Sequence, residues 1–206
     1  MNDISLKSDN GKYDIILRNF DKGIIIIDIK EKYKDSVIEE AIEIARKYNP
    51  KRLVLSTSDT ISSMKEYRKD ILYKNSYELT KSYKEIKLKE IEIKDRDDLI
   101  SLINYNRDIT YKYIDQIDSL ELIKNYKSYF FMYKDKKIGC IIFSEDEIKY
   151  FICNNILAYD MCLSKALYKI GHDTAIVISS LENTKINKFK NFGFVEDIII
   201  NNYYEV

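Results

Sequence analysis

Residues that interrupt or specialise a backbone are scarce in this chain. Of 206 residues, one is Pro, five are Gly and none is Trp. The longest apolar run, "GIIIIDI" at 23–29, is too short to span a bilayer. Lys+Arg and Asp+Glu balance at 34 each, so no charge excess indicates a nucleic-acid or anionic-membrane partner. The sequence therefore predicts a protein with neither nucleic-acid nor membrane partners.

Residues that bind metals or act as nucleophiles are equally few. A Ser-His-Asp triad would require His172, the single histidine, and no G-x-S-x-G accompanies it. Zinc requires several Cys or His at short spacing, which Cys153 and Cys162 alone do not provide. With Cys140 they make an odd number at irregular spacing, and the polar start "MNDISLKSDN" predicts no signal peptide. We therefore expect no metal site, reduced thiols and a cytoplasmic location.

The chain is otherwise composed like an ordinary globular protein. Apolar residues make up 45% and charged residues 33%, and the length suffices for a substantial core. Runs and periodicities in the first part predict five segments. They are a hairpin at 12–30, a helix at 34–50, a strand at 51–57, a helix at 59–75 and one or two strands at 77–93.

The second part begins near Lys89 with two predicted helices and continues with three strands. A helix that ends at Gly171, a strand, a short helix that ends at Gly193 and a final strand or pair of strands follow. The ranges are 95–114, 119–126, 128–154, 157–171, 174–180, 183–193 and 194–206. Both parts therefore share an order of strand, strand, helix, strand, helix, strand.

Two segments also end alike. "LYKNSYELT" at 72–80 and "FKNFGFVED" at 189–197 each combine an aromatic residue, Lys, Asn, a small residue and another aromatic residue. Each follows an apolar run that contains Ser, at 52–58 and at 175–180. The match predicts an internal duplication. Simple α/β alternation is the alternative.

The second part resembles the GNAT superfamily of acyl-CoA-dependent N-acetyltransferases. The element order, together with the stretch from Phe189 to Gly193-Phe194, carries the resemblance. It implies an α/β (α+β) fold with a mixed, mostly antiparallel sheet flanked by helices. A partial copy at 1–86 would precede a complete copy at 87–206. The strand at 52–57 would match that at 175–179, and Tyr77 would match Phe194.

The resemblance also implies a function. The first hypothesis is an N-acyltransferase that uses acetyl-CoA, with a small-molecule amine, a peptide N-terminus or a lysine as acceptor. The second is a degenerate, non-catalytic GNAT-like module that binds a small molecule or a protein partner. The third hypothesis does not use the resemblance: the chain would be an α/β regulatory domain, as the segment "GIIIIDIKEKYKDSVIEEAIEIA" at 23–45 indicates. An exposed edge strand could pair across a homodimer.

The family's phosphate-binding loop, Gln/Arg-x-x-Gly-x-Gly/Ala, corresponds here to "CNNILAYDM" at 153–161, which has no Gly. The first copy has Lys32 and Lys34 in the matching stretch. The resemblance places acetyl-CoA in the second copy, with weak binding because side chains replace glycine. The predicted cofactor residues are Asn154, Asn155, Ile156, Leu157, Ala158 and Asn183. The alternative for the loop is a plain strand-to-helix connection, and the alternative for Asn183 is a helix N-cap.

The catalytic groups that the resemblance implies are a general base and a proton donor. Glu147 is the better placed base on strand periodicity, ahead of Glu145, and a charged β-turn is the alternative reading of both. Phe189 stands where the family places a proton-donating Tyr. Tyr168 on the preceding helix is the remaining donor, and Tyr73 fills the equivalent place in the first copy.

A mixed sheet covered by helices hides both faces of its central strands. We therefore expect apolar residues of the predicted strands to form the core. They are Ile24, Ile26, Val54, Leu55, Phe130, Ile141, Phe143, Phe151, Ile176, Ile178 and Phe194.

Overall fold

The computed structural model describes residues 4–7, 11–18, 23–30, 32, 34–75, 88–106, 116–171 and 173–206. Within them, strands and helices alternate along the chain. The strands are β1 (Ile4–Lys7), β2 (Tyr13–Arg18), β3 (Ile24–Ile29), β4 (Arg52–Thr57), β5 (Lys65–Asn75), β6 (Lys89–Glu92), β7 (Lys127–Tyr133), β8 (Lys136–Phe143), β9 (Glu147–Cys153), β10 (Ala175–Ser179) and β11 (Phe194–Glu205). The helices are α1 (Asp35–Arg46), α2 (Arg96–Asn106), α3 (Gln116–Asn125), α4 (Tyr159–Ile170) and α5 (Asn183–Asn191).

These strands form one sheet in the order β1-β2-β3-β4-β11-β5-β10-β9-β8-β7-β6. The β3–β4 and β9–β10 pairs are parallel, and the other pairs are antiparallel. The predicted fold class, a mixed and mostly antiparallel sheet flanked by helices, is confirmed. Among the described residues, no helix is long and apolar enough to cross a membrane.

Two stretches of the chain repeat one topology. In the first, the β2–β3 hairpin leads through α1 to β4, which lies parallel beside β3. In the second, the β8–β9 hairpin leads through α4 to β10, which lies parallel beside β9. The strands that the sequence matched to each other, β4 and β10, therefore occupy equivalent places. Tyr77, the predicted counterpart of Phe194, lies outside the described residues.

The centre of the sheet interleaves strands from the two parts of the chain. β11 lies between β4 and β5, and β5 lies between β11 and β10. Each part therefore contributes a strand that pairs with the other part. The predicted boundary between residues 86 and 87 lies outside the described residues and stays a prediction, but the strands on either side of it belong to one sheet.

The predicted helix at 59–75 is wrong, because Lys65–Asn75 is the long strand β5. Met64, Tyr67, Ile71 and Leu72 have helical spacing, yet Ile71, Tyr73 and Asn75 also alternate with period two and are buried. Pairing with β10 and β11 decides between the two patterns. Within the described part of the two similar endings, Lys74 lies in a strand and Lys190 in a helix, so these matched residues have different secondary structures.

Helices cover the β7–β10 region on both faces. α4 and α5 pack on one face, where Leu163, Leu167 and Phe189 contact strand residues such as Ile176. α2 packs on the other face, where Leu99 meets Phe130. In the first part, α1 packs over β2, β3 and β4. Every residue of the predicted core is buried, which confirms that prediction.

Candidate functional site

A cleft of about 850 Å³ opens where β9 and β10 separate. The two strands pair only at Glu147 with Ala175 and at Ile148 with Ile176. Beyond that point they diverge, and β9 from Ile148 to Asn154 lines one wall. The cleft therefore lies at the carboxyl ends of two parallel strands, where open α/β sheets commonly bind ligands.

Backbone geometry leaves donors along the β9 wall. The N–H of Asn154 donates to the carbonyl oxygen of Ile138 on β8 at 3.1 Å. Because successive N–H groups of a strand point in opposite directions, those of Cys153 and Phe151 point toward β10. The β9–β10 pairing has already ended there, so these two N–H groups have no ladder partner in β10. They can therefore donate to a ligand in the cleft.

The corresponding seam of the first part is closed. β3 and β4 stay paired from Ile24 with Arg52 to Asp28 with Ser56. At the end of the seam, the Ser56 hydroxyl donates to Asp28 at 3.1 Å, and the Asn201 side chain donates to Ser56 at 2.6 Å. The two parallel strand pairs thus have the same topology. Among the described residues, β9 and β10 separate after two paired positions, whereas β3 and β4 stay paired over five.

Glu147 lies at the narrow end of the cleft, next to the last paired residues. Its carboxylate accepts hydrogen bonds from the Tyr126 hydroxyl at 3.0 Å and from Lys149 at 3.3 Å. A register shift between Ile142 and Phe143 makes a bulge in β9 at Lys149, which bends the strand just after Glu147. Burial, followed by the hydrogen bond to Glu147, raises the pKa of Tyr126. The Glu147 carboxylate is therefore held by one neutral donor, the Tyr126 hydroxyl, and one positive donor, the Lys149 ammonium group.

The loop that precedes α4 is closed by the chain itself. Oδ1 of Asn155 accepts hydrogen bonds from the N–H groups of Leu157 at 3.0 Å and of Ala158 at 3.3 Å, and the Asn155 carbonyl oxygen also accepts the Ala158 N–H at 3.0 Å. These amides lie in the loop before the N-cap residue Ala158, where a bound anion would use them. Ile156 is 66% exposed and Leu157 90% exposed, and neither lines the cleft. Of the predicted cofactor residues on this segment, Asn154 alone lines it.

The segment after β10 forms the opposite wall. Val177, Ser179, Glu182 and Asn183 line it. Asn183 is the first residue of α5, and Glu182 precedes it at the N-cap position. The N-cap therefore lies one residue before the position that the sequence offered as an alternative for Asn183. A Glu182 carboxylate oxygen accepts the N–H of Ser179 at 3.4 Å, which closes the turn that leads into the helix.

Several other candidates lie away from the cleft. Tyr168 is half exposed on α4 and is not among the residues that line the cleft. Phe189 is fully buried and packs edge-on against Phe194 at 4.9 Å between ring centroids. Tyr73 is buried in the same core instead of facing the β3–β4 seam. Glu145 lies on a separate surface pocket, and His172 lies outside the described residues.

Tyr159, which sequence reasoning missed, lines the cleft. It is the first residue of α4, and its ring packs edge-on against Phe151 at 5.1 Å. Its hydroxyl oxygen is buried and has no hydrogen-bond partner among the described residues. Burial, with a smaller contribution from Glu182, raises the pKa of this hydroxyl. A buried hydroxyl without a partner is costly, so Tyr159 is suited to donate to a ligand. Its place after the strand-to-helix loop was the available signal.

Comparison of the sequence with known protein families and with characterised proteins gives no match. Comparison of the structure does. A GCN5-related N-acetyltransferase from Kribbella flavida matches with a TM-score of 0.60 at 7% identity, over 99% of this chain and 89% of its own. A tandem GNAT protein from the clavulanic acid biosynthesis pathway matches with a TM-score of 0.55 at 9% identity, over 94% and 78%.

A functionally unknown conserved protein from Staphylococcus epidermidis is also similar, with a TM-score of 0.56 at 11% identity, over 98% of this chain and 93% of its own. The fold of this chain is therefore that of the GNAT acetyltransferases, as the sequence resemblance predicted.

Proposed function

We propose that the chain is an acetyl-CoA-dependent N-acyltransferase that holds its acyl donor between β9 and β10. The observation that carries the proposal is the separation of these strands after Ile148 and Ile176, on a fold shared with acetyltransferases. Acetyl-CoA, when bound, supplies an activated acyl group as a thioester.

The chain's own groups fit the pantetheine portion of the cofactor. N–H groups of Phe151 and Cys153 can donate to its amide oxygens, as strands donate to a neighbouring strand. The buried Tyr159 hydroxyl would gain the hydrogen-bond partner that it lacks among the described residues. The fit at the phosphates is poorer, because Asn155 already accepts the N–H groups of Leu157 and Ala158.

Proton transfer can be assigned to two cleft residues. Glu147, directly or through a water, takes the proton from the acceptor amine, a small-molecule amine, a peptide N-terminus or a lysine. Tyr159, whose buried hydroxyl has no hydrogen-bond partner among the described residues, is placed to donate a hydrogen bond to the departing sulfur. We assign the donor role to Tyr159 and not to Tyr168, which does not line the cleft.

One observation favours a second function, a non-catalytic module that binds a small molecule or a partner. The Asn155 side chain accepts two N–H groups of the loop before α4, which an active acetyltransferase would offer to phosphate. In this alternative the cleft binds a ligand without a pyrophosphate, and no acyl transfer follows.

Turnover decides between the two functions. The purified protein is incubated with acetyl-CoA and a panel of amines and peptides, and acetylated products are measured by mass spectrometry. Glu147→Gln is expected to lower the rate by about 10²-fold or more, the usual contribution of a general base. Glu145→Gln, an exposed neighbour outside the cleft, is expected to leave it unchanged. Absence of any acetylated product would favour the binding module.

A further inference from the structure

The loop between β9 and α4, which corresponds to the phosphate-binding loop of the GNAT fold, offers few donors to an anion. It contains no Gly, Lys or Arg from Cys153 to Met161. The Leu157 N–H donates to Asn155 Oδ1 at 3.0 Å, and the Ala158 N–H donates to the Asn155 carbonyl oxygen at 3.0 Å. The Leu157 side chain is 90% exposed and carries no polar group. A phosphate at this loop would therefore have to displace hydrogen bonds that the chain already makes.

Carboxylates lie at the starts of α4 and α5, the helices that follow the two strands of the cleft. Asp160 is in the first turn of α4 and accepts a hydrogen bond from Lys188 at 2.8 Å. Glu182 is the N-cap residue of α5, accepts the Ser179 N–H at 3.4 Å and pairs with Lys185 at 3.4 Å. Both lysines are thus neutralised by a carboxylate. A helix N-terminus attracts negative charge, but a pyrophosphate at either of these would meet like charge.

The inner part of the cleft instead suits an uncharged chain that carries amides. The N–H groups of Phe151 and Cys153 lie beyond the β9–β10 pairing and can donate to amide oxygens. The Tyr159 hydroxyl is buried at the cleft wall and has no hydrogen-bond partner among the described residues. Pantetheine is such a chain. The cleft therefore fits one portion of an acyl-CoA and not the other.

We propose that the cleft recognises its acyl donor through the pantetheine thioester alone, so that acylpantetheines without the nucleotide react about as well as acyl-CoA. Asn155 and Asp160 are the residues that determine this choice, because they occupy the donors and the helix terminus that a pyrophosphate would use. The inference rests on the proposed acyl transfer and adds the chemical class of its donor.

The nucleotide takes no part in the bonds that change. The acceptor nitrogen attacks the thioester carbonyl carbon, a C–N bond forms and the C–S bond breaks. The amine loses one proton, for which Glu147 is the base, and the sulfur gains one proton and leaves as a thiol. An amide and a pantetheine thiol are the products, so the 3′-phospho-ADP portion of CoA contributes to binding only.

The test compares kcat/KM of the purified full chain for acetyl-CoA and for S-acetylpantetheine, with the same amines and peptides as acceptors. The two wild-type values are expected to agree within about tenfold, whereas a pyrophosphate held by a pair of charge-assisted hydrogen bonds would favour acetyl-CoA by about 100-fold or more. A preference for acetyl-CoA beyond about tenfold overturns the inference and leaves the acetyltransferase function standing. Absence of product from either donor overturns both.

Two substitutions are expected to create a preference for the nucleotide. Asn155→Ala frees the Leu157 N–H and is expected to raise the ratio of kcat/KM for acetyl-CoA to that for S-acetylpantetheine by about tenfold. Asp160→Asn removes the carboxylate from the first turn of α4 and is expected to raise the ratio by about threefold. If neither variant raises the ratio, the loop does not determine the choice of donor and the inference is overturned.

The matched control is Asp197→Asn, which makes the same change in a carboxylate that lies 2.7 Å from Lys74, outside the cleft. It is expected to keep the wild-type ratio. A third donor, an acyl carrier protein that bears acetyl-phosphopantetheine, distinguishes two sources of the thioester. A higher kcat/KM than for S-acetylpantetheine supports a protein-bound donor, and an equal or lower value supports a free one.

Discussion

Asn155 shows how one side chain can reverse the expected chemistry of a position. The sequence resemblance predicted that it contacts the cofactor, and in the structure its Oδ1 accepts two N–H groups of the loop before α4. Sequence reasoning located the loop and could not choose between these roles, because an Asn before a helix suits both. Tyr159 was missed for a similar reason. In a chain with 18 Tyr, nothing in the residue itself indicates that its hydroxyl is buried without a partner.

The role of Asn155 gives opposite predictions for two substitutions. Asn155→Ala removes the side-chain acceptor and frees the Leu157 N–H for phosphate, while the Ala158 N–H keeps the backbone carbonyl of residue 155 as its acceptor. We therefore expect acetyl-CoA to bind about tenfold more tightly, which corresponds to one charge-assisted hydrogen bond. The same change is expected to cost about 1 kcal/mol of folding free energy, as for other lost intramolecular hydrogen bonds. Asn155→Asp keeps the acceptor and adds a negative charge, so binding is expected to be lost. Calorimetric titration measures both.

The matched control is Asn49→Asp, the same change of amide to carboxylate at an exposed residue after α1. It is expected to bind acetyl-CoA like wild type. If Asn155→Ala instead weakens binding, the side chain contacts the cofactor directly, as the sequence resemblance implied, and the interpretation of Asn155 as a competing internal acceptor is contradicted.

Stability should fall at alkaline pH because buried acids lose protons on unfolding. Burial raises the pKa of Cys140 from 9.0 to about 12 in the folded protein. A folded-state pKa above the unfolded one adds stability below about pH 9, and that stability is lost as the pH rises toward 12. Each unit of difference corresponds to about 1.4 kcal/mol. Urea unfolding between pH 8 and pH 10.5 measures the slope, and Cys140→Ala is expected to make it shallower. Identical slopes would contradict this account of Cys140.

At the scale of elements, the sequence predicted the second part of the chain well and failed at two strands of the first. β8, β9, α4, β10 and α5 occur within the predicted ranges and β7 begins one residue earlier, because their periodicities are clear and their turns carry charged residues or Gly. β1 was not predicted, because it lies in the polar first ten residues. β5 was assigned to a helix, because its apolar residues also fit a helical spacing. Only its pairing with β10 and β11, strands more than 100 residues later in the chain, distinguishes the two.

The end of α5 and the start of β11 should contribute strongly to stability. Phe194 is 1% exposed and packs against Phe189, which in turn packs against Phe151. Phe194→Ala is expected to cost about 3–5 kcal/mol of unfolding free energy, as for other buried aromatic residues. Val195, the next residue of β11, is 46% exposed, and Val195→Ala is expected to cost well under about 1 kcal/mol. Chemical denaturation measures both, and similar costs at the two positions would mean that the segment is peripheral.

At the scale of the whole molecule, the sequence predicted two similar parts but not how they join. The strand–helix–strand topology occurs in both parts, with β4 and β10 in equivalent places, and the internal duplication stays a prediction. The sequence could not predict that β11 pairs with β4 and β5 of the first part, or that β5 pairs with β10 of the second, since pairing between distant strands leaves no local signal. Nor could it predict that one parallel seam opens and the other stays closed. The homodimer remains a prediction.

The open seam is the central claim, and acetyl-CoA binding to cleft variants tests it most directly. Val177 on β10 lines the cleft, whereas Val195 on β11 is a similarly exposed strand residue outside it. In calorimetric titration, wild type is expected to bind acetyl-CoA, Val177→Trp to bind at least about tenfold more weakly because the indole fills the cleft, and Val195→Trp to match wild type. Equal affinity in all three proteins, or no binding to wild type at millimolar ligand, would contradict the assignment of the β9–β10 cleft as the acyl-donor site.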